Sequence, residues 1–429
     1  MSERESRRSF LSKAVAGTAA AWPLLTATRV VGAPGQPTPS GEVRMGHIGV
    51  GGMGGGHFGG YCQNDKYPSV AVCDVDKRTL EERVKRCKRK AEGYTDFRRL
   101  CDREDVDAVV VATPDHWHAL ATIYAMQAGK DIYCEKPLSL TIRQGRAMVN
   151  AARRYNRVFQ VGSQQRSDPE FRRAVELCRS GRIGKISLVY VGVGGPSQEC
   201  YLPAEPTPEW MEWDMWLGPA PWRPFNKAMH PFNWRSYRDY SGGGCTDWGA
   251  HHMDIALWGI GREFSGPLEV QYDTKTHRFI HKHPDGVVIE MNAPANGIRF
   301  FGEQGIIEVN RGYFRTWPEE IGKDPLGPSD DTLPPVPGHH HGSWHRAMET
   351  RERPDADVEI GHRTITACHL GNISYWLGGR KLVWDPDKEE MVGDPEAARW
   401  LDRPMRAPWK IPEDLLPNMP AGTLTQPSA

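Results

Sequence analysis

Residues 43–54 read VRMGHIGVGGMG, an apolar stretch that runs directly into a glycine-rich loop. The loop fits the pattern GxGxxG, whose glycines let the backbone approach a pyrophosphate and whose following helix offers free N–H groups. The pattern is weak alone in a chain with 45 glycines, but a second apolar stretch, residues 69–73, ends in Asp74. Asp74 stands 20 residues after Gly54, the spacing of a carboxylate that holds ribose hydroxyls. The sequence therefore predicts a dinucleotide-binding unit whose loop residues are Gly49, Gly51, Gly52, Met53 and Gly54.

The same alternation of strand and helix continues beyond Asp74. The pattern predicts a charged helix over residues 77–91, a buried strand over 106–112, a helix over 116–128 and a strand over 132–134. Such alternation is typical of a parallel, doubly wound sheet, which binds ligands beyond the C-terminal ends of its strands. Two polar stretches follow strands there, and they supply the candidate cofactor-binding residues Thr113, Pro114, Asp115, His118, Glu135 and Lys136.

The second half of the chain predicts a different kind of domain. A helix over 168–180 is followed by strand candidates at 186–193, 268–274, 287–291, 297–301 and 305–309. Successive strands with glycine turns indicate an open, mostly antiparallel sheet. The predicted fold class is thus α/β, with an N-terminal Rossmann domain over 41–157 and a C-terminal α+β domain over 158–429. Residues 194–233 predict a long irregular insertion, either a lid or an arm that reaches a partner.

The composition argues against several classes of protein. Lys and Arg total 54, as do Asp and Glu, so the chain lacks the basic excess of a general nucleic-acid binder. A mean hydropathy of −0.58 argues against a polytopic membrane protein. Nine cysteines without a CxxC pair favour neither a disulfide framework nor a zinc site.

Residues 1–40 predict a targeting segment rather than part of the fold. Arg7 and Arg8 precede Phe-Leu, an alanine-rich stretch over 14–25 and an exit of small residues. The paired arginines resemble a twin-arginine signal, although a disordered basic tail is the alternative. We therefore expect the twin-arginine export machinery to carry the folded chain to the periplasm, after it acquires its cofactor in the cytoplasm.

Several motifs together resemble the Gfo/Idh/MocA family, which includes glucose-fructose oxidoreductase and inositol dehydrogenase. They are the glycine loop, Asp74, ATPDHWH at 112–118, GKDIYCEKP at 129–137 and GGCTDWGAH at 243–251. The resemblance implies hydride transfer between a nicotinamide cofactor and a sugar or cyclic polyol. It also implies the catalytic residues: Lys136 and His251 as an acid/base pair, with Asp247 orienting the histidine or sharing its proton. In relatives the peptide before Pro137 is often cis.

Other interpretations of these residues stay open. Asp247 could instead cap a helix, and His251, His252 and Asp254 could bind zinc, although we predict no metal. The resemblance places Trp117, Arg166 and Arg235 in the substrate cleft beside Asp247 and His251. Trp117 could equally be packing, and each arginine could form a structural ion pair. The histidines at 339–341 and His345 cluster in a Pro/Gly-rich stretch; a solvated loop is the first interpretation, substrate contact the second and a metal site the third.

The expected cofactor is NAD, because a carboxylate at position 74 repels a 2′-phosphate, while Lys77 and Arg78 keep NADP open. Free cofactor is scarce outside the cytoplasm, so we expect tight binding and regeneration within the site. The same constraint motivates an alternative, glycoside hydrolysis through transient oxidation with no net redox change. A third interpretation is a non-catalytic nucleotide- or sugar-binding protein. The expected partners are a sugar, polyol or glycoside and further copies of the chain in a dimer or tetramer.

Overall fold

The computed structural model describes residues 41–336 and 338–416 and builds them around two separate sheets. The predicted targeting segment, residues 1–40, lies outside the described residues. Across the described ranges, every helix is too short or too polar to cross a membrane.

The first sheet has six parallel strands in the order β3-β2-β1-β4-β5-β6. Their bounds are β1 (Met45–Ile48), β2 (Ser69–Cys73), β3 (Glu92–Tyr94), β4 (Ala108–Val111), β5 (Asp131–Cys134) and β6 (Phe159–Val161). The strand order reverses between β1 and β4, which opens a crevice beyond their C-terminal ends. The predicted parallel, doubly wound sheet is confirmed.

Five helices connect these strands: α1 (Gly52–Tyr61), α2 (Lys77–Arg86), α3 (Phe97–Cys101), α4 (Asp115–Gln127) and α5 (Ile142–Arg154). Helix α2 begins where the Asp76 carboxylate accepts the backbone N–H groups of Arg78 and Thr79. It ends at Arg86 rather than at residue 91, because Cys87 is extended and the chain then enters β3.

The first domain extends past the predicted division at residue 157. Strand β6 pairs with β5, so it completes the first sheet instead of beginning the second. A C-terminal segment also returns to this domain, since Trp344, Ala347 and Met348 pack against Met45 and other residues of β1 and β4.

The second sheet has nine strands in the order β13-β12-β11-β7-β10-β9-β8-β14-β15. Their bounds are β7 (Ile186–Val191), β8 (Glu269–Asp273), β9 (Arg278–Lys282), β10 (Val288–Met291), β11 (Ile298–Gly302), β12 (Ile306–Asn310), β13 (Tyr313–Trp317), β14 (Leu382–Asp385) and β15 (Glu390–Met391). Strands β7 and β10 run parallel, and the other pairings are antiparallel. The prediction of a mostly antiparallel sheet is confirmed.

Eight further helices belong to this half of the chain: α6 (Pro169–Arg179), α7 (Trp213–Leu217), α8 (Gly244–Asp247), α9 (Gly249–Gly259), α10 (Glu320–Lys323), α11 (His339–Thr350), α12 (Val358–Trp376) and α13 (Pro395–Ala398). Helices α6, α9 and α12 pack against the sheet. Helix α11 includes His339–His341, and His340 is buried, so these histidines do not form the solvated loop that the sequence predicts.

The insertion over residues 194–233 folds onto the first domain. Lys77 N donates to Trp210 O at 2.9 Å, and Glu212 N donates to Val75 O at 3.0 Å, so the insertion is bonded to the loop after β2. Its aromatic residues Trp213, Trp216, Phe225 and Trp234 form a local core. The insertion therefore covers one side of the crevice in the same chain, as expected of a lid.

Candidate active site

A cleft with an empty volume of about 1140 Å³ lies at the crevice where the strand order reverses. Its lining combines the glycine loop, the residues after β2, β4 and β5, residues 230–232 of the insertion, and Trp234 and Arg235 just after the insertion. The two polar stretches predicted to follow β4 and β5 therefore border one cleft. The first domain forms one wall, and the insertion with the two residues that follow it forms another.

The glycine loop leaves no room for side chains at two positions. A Cβ at Gly54 would lie 2.0 Å from the carbonyl oxygen of Gly49, and Gly49 itself has a φ of +79°. A Cβ at Gly51 would meet nothing within 4 Å, so this position faces open space in the cleft. Helix α1 starts here without a side-chain cap. Its free N–H groups suit a pyrophosphate.

We expect Gly54→Ala to weaken nucleotide binding, because the new methyl group must displace the backbone of Gly49. Overpacking of this kind costs about 1–3 kcal/mol, which raises the Kd for NAD about ten- to a hundredfold. Calorimetric titration with NAD, together with the nucleotide content of the purified protein, measures the change. The matched control is Gly56→Ala on the same helix, where a Cβ meets nothing within 4 Å. Equal affinities for the two variants would contradict the prediction.

Asp74 is held at the end of β2 by two backbone donors. Its Oδ2 accepts from Val50 N at 2.8 Å, and its Oδ1 accepts from Asp76 N at 2.9 Å. Burial raises the pKa of Asp74, and these two N–H groups oppose that shift. Each carboxylate oxygen keeps a further lone pair for a ribose hydroxyl. The carboxylate thus links the glycine loop to the expected ribose position.

Lys136 and Asp247 meet in the cleft although 111 residues separate them. Lys136 Nζ donates to Asp247 Oδ1 at 2.7 Å and to the carbonyl oxygen of Asp247 at 3.1 Å. The side chains are 12% and 24% exposed, so both remain accessible from the cleft. The Lys136–Pro137 peptide is cis, as the resemblance implies.

A break between α8 and α9 allows the hydrogen bond from Lys136 Nζ to the carbonyl oxygen of Asp247. His251 N and His252 N both donate to Trp248 O, at 3.0 and 2.9 Å. In a continuous helix, His251 N would donate to Asp247 O. The break therefore frees the Asp247 carbonyl for Lys136.

His251 lies next to this pair but does not bond to it. It is buried near the Trp248 ring, and its Nδ1 has no hydrogen-bond partner within the described ranges. Burial, with the positive charges of Lys136 and Arg311, holds the pKa of His251 well below its usual value, so the imidazole is neutral. The expectation that Asp247 orients His251 is wrong in this structure, because the Asp247 carboxylate faces Lys136 instead.

The polar residues after β4 and β5 divide into two groups. Thr113, Pro114, Asp115 and Glu135 line the cleft. Ser241 Oγ donates to Asp115 Oδ2 at 2.7 Å, and burial raises the pKa of Asp115 to about 7. His118 is buried behind them, with its ring nitrogens 2.8 Å from Pro137 O and 2.9 Å from Thr113 O. It joins the two loops to each other rather than facing the cofactor position.

The three residues predicted to bind substrate occupy different places. Arg235 lies at the site, with Nε 3.5 Å from Asp247 Oδ1. Trp117 is buried and its indole N–H donates to the carbonyl oxygens of Met215 and Trp216, but it also lines the cleft, so packing and substrate contact both stay open for it. Arg166 is also buried, where it forms an ion pair with Asp254. The substrate role predicted for Arg166 is therefore not supported by its position.

Positive charge predominates at the catalytic end of the cleft. Lys136 and Arg235 share the single carboxylate of Asp247. The Arg311 guanidinium lies 5.2 Å from the centre of the Trp248 ring, which is 42% exposed. An exposed indole beside hydrogen-bond donors suits the C–H face and hydroxyls of a sugar.

Three further residues belong to this region without having been predicted from the sequence: Phe232, Ser241 and His57. Phe232 lies 3.2 Å from the position of a Cβ on Gly52, so it covers the glycine loop. His57 Nε2 lies 2.8 Å from Glu135 Oε1. Of these three, only His57 could have been found from the sequence. It stands on the helix that follows the glycine loop, four residues before Tyr61 and therefore on the same helix face.

These residues fit a bound nicotinamide dinucleotide. The glycine loop has space at Gly51 and close packing at Gly54, the start of α1 is uncapped, and Asp74 faces the ribose position. When bound, NAD supplies a hydride acceptor or donor. Lys136 lines the same cleft, and His251 is buried close enough to feel its charge.

Two family models match most of the chain. Residues 43–163 match the NAD-binding Rossmann fold of the GFO_IDH_MocA oxidoreductase family. Residues 195–292 and 326–411 match the C-terminal alpha/beta domain of the same family.

Curated relatives match shorter stretches. A glycosyl hydrolase family 109 protein from Shewanella pealeana is 36% identical over 120 residues, which are 26% of this chain and 26% of that protein. An alpha-N-acetylgalactosaminidase from Shewanella oneidensis is 30% identical over 152 residues, 34% of this chain and 33% of the relative. The chain thus spans about a quarter to a third of the length of these curated relatives.

Solved structures share the fold over most of their length. The WlbA dehydrogenase from Chromobacterium violaceum, in complex with NADH and UDP-GlcNAcA, has a TM-score of 0.60 at 20% identity, covering 81% of this chain and 98% of that one. The aldose-aldose oxidoreductase from Caulobacter crescentus has a TM-score of 0.58 at 19% identity, covering 80% and 99%. With the two family matches, the conclusion is that the chain belongs to the Gfo/Idh/MocA family of oxidoreductases and carries its NAD-binding Rossmann domain.

Proposed function

We propose that this protein transfers a hydride between tightly bound NAD and a hydroxyl or ketone of a sugar or cyclic polyol. The observation that carries the proposal is the Lys136–Asp247 pair, in which Nζ lies 2.7 Å from Oδ1 and Lys136 lines the nucleotide cleft. An ammonium group fixed by a carboxylate, beside the end of β5, can exchange a proton with a substrate oxygen. The exposed Trp248 indole and Arg235 supply a binding surface for the sugar ring.

The residues divide the work of the reaction as follows. Oxidising an alcohol removes a hydride from carbon, which a bound NAD would accept, and a proton from oxygen. Lys136 Nζ, held in position by Asp247, binds the substrate oxygen and accepts its proton when the amine is neutral; as an ammonium group it donates a hydrogen bond to that oxygen. His251, kept neutral by burial, can bind the same oxygen or share the proton. In the reverse direction the same groups return the proton.

The surroundings of Asp74 support NAD over NADP. Lys77 Nζ is 2.7 Å from Glu212 Oε1. Arg78 pairs with Asp76 at 2.9 Å and lies 3.4 Å from the centre of the Trp210 ring. Both cations are therefore engaged by other groups, while the Asp74 carboxylate repels a 2′-phosphate.

Cofactor retention, export and assembly belong to the same proposal. The insertion bonded to the loop after β2 supports slow cofactor release, because it covers the adenosine side of the cleft. The paired arginines at positions 7 and 8 support twin-arginine export to the periplasm. A homo-oligomer, a dimer or tetramer joined through the second sheet, is proposed from the family resemblance alone.

The first experiment is to purify the full chain without added cofactor, denature it and identify any released nucleotide. One NAD(H) per chain supports an internally recycled cofactor, and the loaded protein is then assayed with paired sugars and polyols. A nucleotide-free protein that binds added NAD weakly contradicts tight retention.

A second candidate function is NAD-dependent glycoside hydrolysis, which the glycosyl hydrolase family 109 relatives favour. Transient oxidation of the sugar would let Lys136 and His251 serve elimination and water addition before the carbonyl is reduced again. The assay that separates the two functions supplies glycosides to the loaded protein. Release of the aglycone with no net change in NADH absorbance supports hydrolysis, and net NADH formation supports the oxidoreductase.

A further inference from the structure

A row of five polar side chains leads from the cleft to the protein surface. Four of its members come in helical pairs spaced by four residues, so each pair lies on one helix face. Helix α1 contributes one pair and helix α11 the other. In order from the cleft, the members are Glu135, His57, His341, Tyr61 and His345, here called the His–Tyr chain.

Every step in the His–Tyr chain is a hydrogen-bond distance. Glu135 Oε1 is 2.8 Å from His57 Nε2. His57 Nδ1 is 3.0 Å from His341 Nε2, and His341 Nδ1 is 2.8 Å from the hydroxyl of Tyr61. The same hydroxyl is 2.9 Å from His345 Nε2. Four consecutive contacts therefore join the cleft carboxylate to the last histidine without a gap.

The pattern of donors and acceptors is self-consistent. An ionised Glu135 only accepts, so His57 must carry its proton on Nε2 and accept on Nδ1. His341 must then carry its proton on Nε2, which makes its Nδ1 the acceptor for the Tyr61 O–H. Tyr61 oxygen in turn accepts from His345 Nε2. In every bond of the row the donor lies on the solvent side and the acceptor on the Glu135 side. Each histidine is neutral and carries its proton on Nε2.

The reversed pattern has Glu135 protonated and every histidine in its Nδ1–H tautomer. Glu135 then donates to His57 Nε2, and each following group donates outward, ending with a proton on His345 Nδ1. When every proton moves across one hydrogen bond, the His345 Nδ1 proton leaves to water and the row returns to the first pattern. The histidines must regain their Nδ1–H tautomers before the next proton can leave. The net result is that one proton passes between solvent at His345 and the carboxylate of Glu135, with no ion left inside the row.

The surroundings keep the row neutral. Burial lowers the pKa of His341 to about 2 and that of His345 to about 4, and it raises the pKa of Tyr61 above its ordinary value. The charged or titratable groups that face the row are His47 on β1, Tyr133 on β5, His340 and Glu349 on α11, and Lys66 and Tyr67 before β2.

The inner end of the row is open to the cleft, and its outer end is open to solvent. At the inner end, Glu135 lines the cleft beside Lys136, and its Oε2 accepts from the Lys136 backbone N–H at 3.2 Å. At the outer end, His345 is partly exposed and stacks on the Tyr67 ring with 3.8 Å between centroids. The Lys66–Glu349 ion pair beside it is exposed to solvent.

We propose that the His–Tyr chain is a proton relay that exchanges the proton of the hydride-transfer reaction between the cleft and solvent. The inference rests on the proposed function, since that reaction releases one proton for each alcohol oxidised. The proton that the substrate O–H gives up in the cleft is taken up by Glu135, which lines the same cleft, and the row delivers one proton to water at His345. The hydride goes to NAD, so atoms and charge balance.

The test uses Tyr61→Phe, which removes one oxygen atom from the middle of the row and keeps the ring. The matched control is Tyr67→Phe, whose ring stacks on His345 but whose hydroxyl is not a member of the row. In stopped flow with a sugar that reduces the bound cofactor, NADH absorbance reports hydride transfer and a pH-indicator dye reports proton release. Proton-transfer groups accelerate the steps they serve by about 10²–10⁴-fold. We therefore expect the rate of proton release in Tyr61→Phe to fall at least about tenfold, while the rate of the first hydride transfer stays within about twofold of the wild-type rate. Unchanged proton release in Tyr61→Phe would overturn the relay.

A second readout does not depend on turnover. The relay requires His57, His341 and His345 to share one tautomer, all Nε2–H or all Nδ1–H, which ¹⁵N spectra of histidine-labelled protein report. A mixed set of tautomers in the wild-type protein overturns the proposal. If no sugar reduces the cofactor, the proposed function fails, while the tautomer spectra still decide whether the row is continuous.

Discussion

Replacing Lys136 by methionine will stop hydride transfer while the protein stays folded and loaded with nucleotide. Methionine keeps the length of the side chain but removes the group that binds and deprotonates the substrate oxygen. The Asp247 carboxylate left behind is 24% exposed and has Arg235 3.5 Å away, so it does not become an isolated buried charge. Loss of a general acid/base lowers kcat by about 10²–10⁴-fold.

The measurement is kcat for NADH formation, with the nucleotide content of each preparation determined after denaturation. Lys130→Met is the matched control, because Lys130 is a buried lysine of the same domain whose Nζ donates to Arg103 O, outside the cleft. We expect the control to keep its turnover per folded chain. If the kcat of Lys136→Met instead stays within about tenfold of the wild-type value, His251 is the principal base, since loss of the principal acid/base group lowers kcat by more than about tenfold.

The first domain was predictable because its strands carry their own signal. Strands β1, β2, β4 and β5 are short buried stretches, each followed by a turn or helix start, and all four appear within a few residues of their predicted bounds. Strand β3 was not predicted, since Glu92–Tyr94 is brief, polar and at the sheet edge. Strand β9 was missed for a related reason, because its alternation of Phe279 and His281 with charged residues is short.

The site was predictable only as separate pieces. The motifs predicted that Lys136 and Asp247 belong to it, but the direct bond between them depends on how the two domains pack. The break at Trp248 leaves the Asp247 carbonyl free to accept from Lys136, and a spacing of four residues does not reveal such a break. The His–Tyr chain likewise needs α1 and α11 side by side, although nearly 280 residues separate them.

The partner of Arg166 could not be predicted from the sequence either, because it lies 88 positions further along the chain. Replacing Arg166 should cause the second large effect that we expect, a loss of stability. Its Nε and Nη2 donate to the two oxygens of Asp254 at 2.7 and 2.8 Å, and Thr364 Oγ1 donates to Asp254 Oδ1 at 3.0 Å. The Arg166 and Asp254 side chains are only 2% and 1% exposed. The Trp258 ring lies 4.5 Å from the guanidinium. Arg166 thus ties the turn after β6 to helix α9.

We expect Arg166→Met to lower the free energy of unfolding by about 3–5 kcal/mol, because it leaves the Asp254 carboxylate buried without its counterion. Denaturant titration followed by tryptophan fluorescence measures this loss. The matched control is Arg172→Met, whose guanidinium lies 5.9 Å from the same Trp258 ring but on the half-buried face of α6. Among the described residues, Arg172 donates only to the carbonyl oxygens of Arg166 and Pro334, so the free energy of unfolding of this variant should fall by about 1 kcal/mol, the net contribution of an ordinary hydrogen bond.

Adding Asp254→Leu to Arg166→Met should recover most of the lost stability, because replacing both partners of a buried pair by apolar groups is often neutral. This double variant separates the two roles that the sequence left open for Arg166. A structural ion pair predicts recovery of folding, with the KM for sugar close to the wild-type value. If Arg166→Met instead keeps its stability and raises the KM, Arg166 contacts the substrate and the buried pair with Asp254 is not its main function.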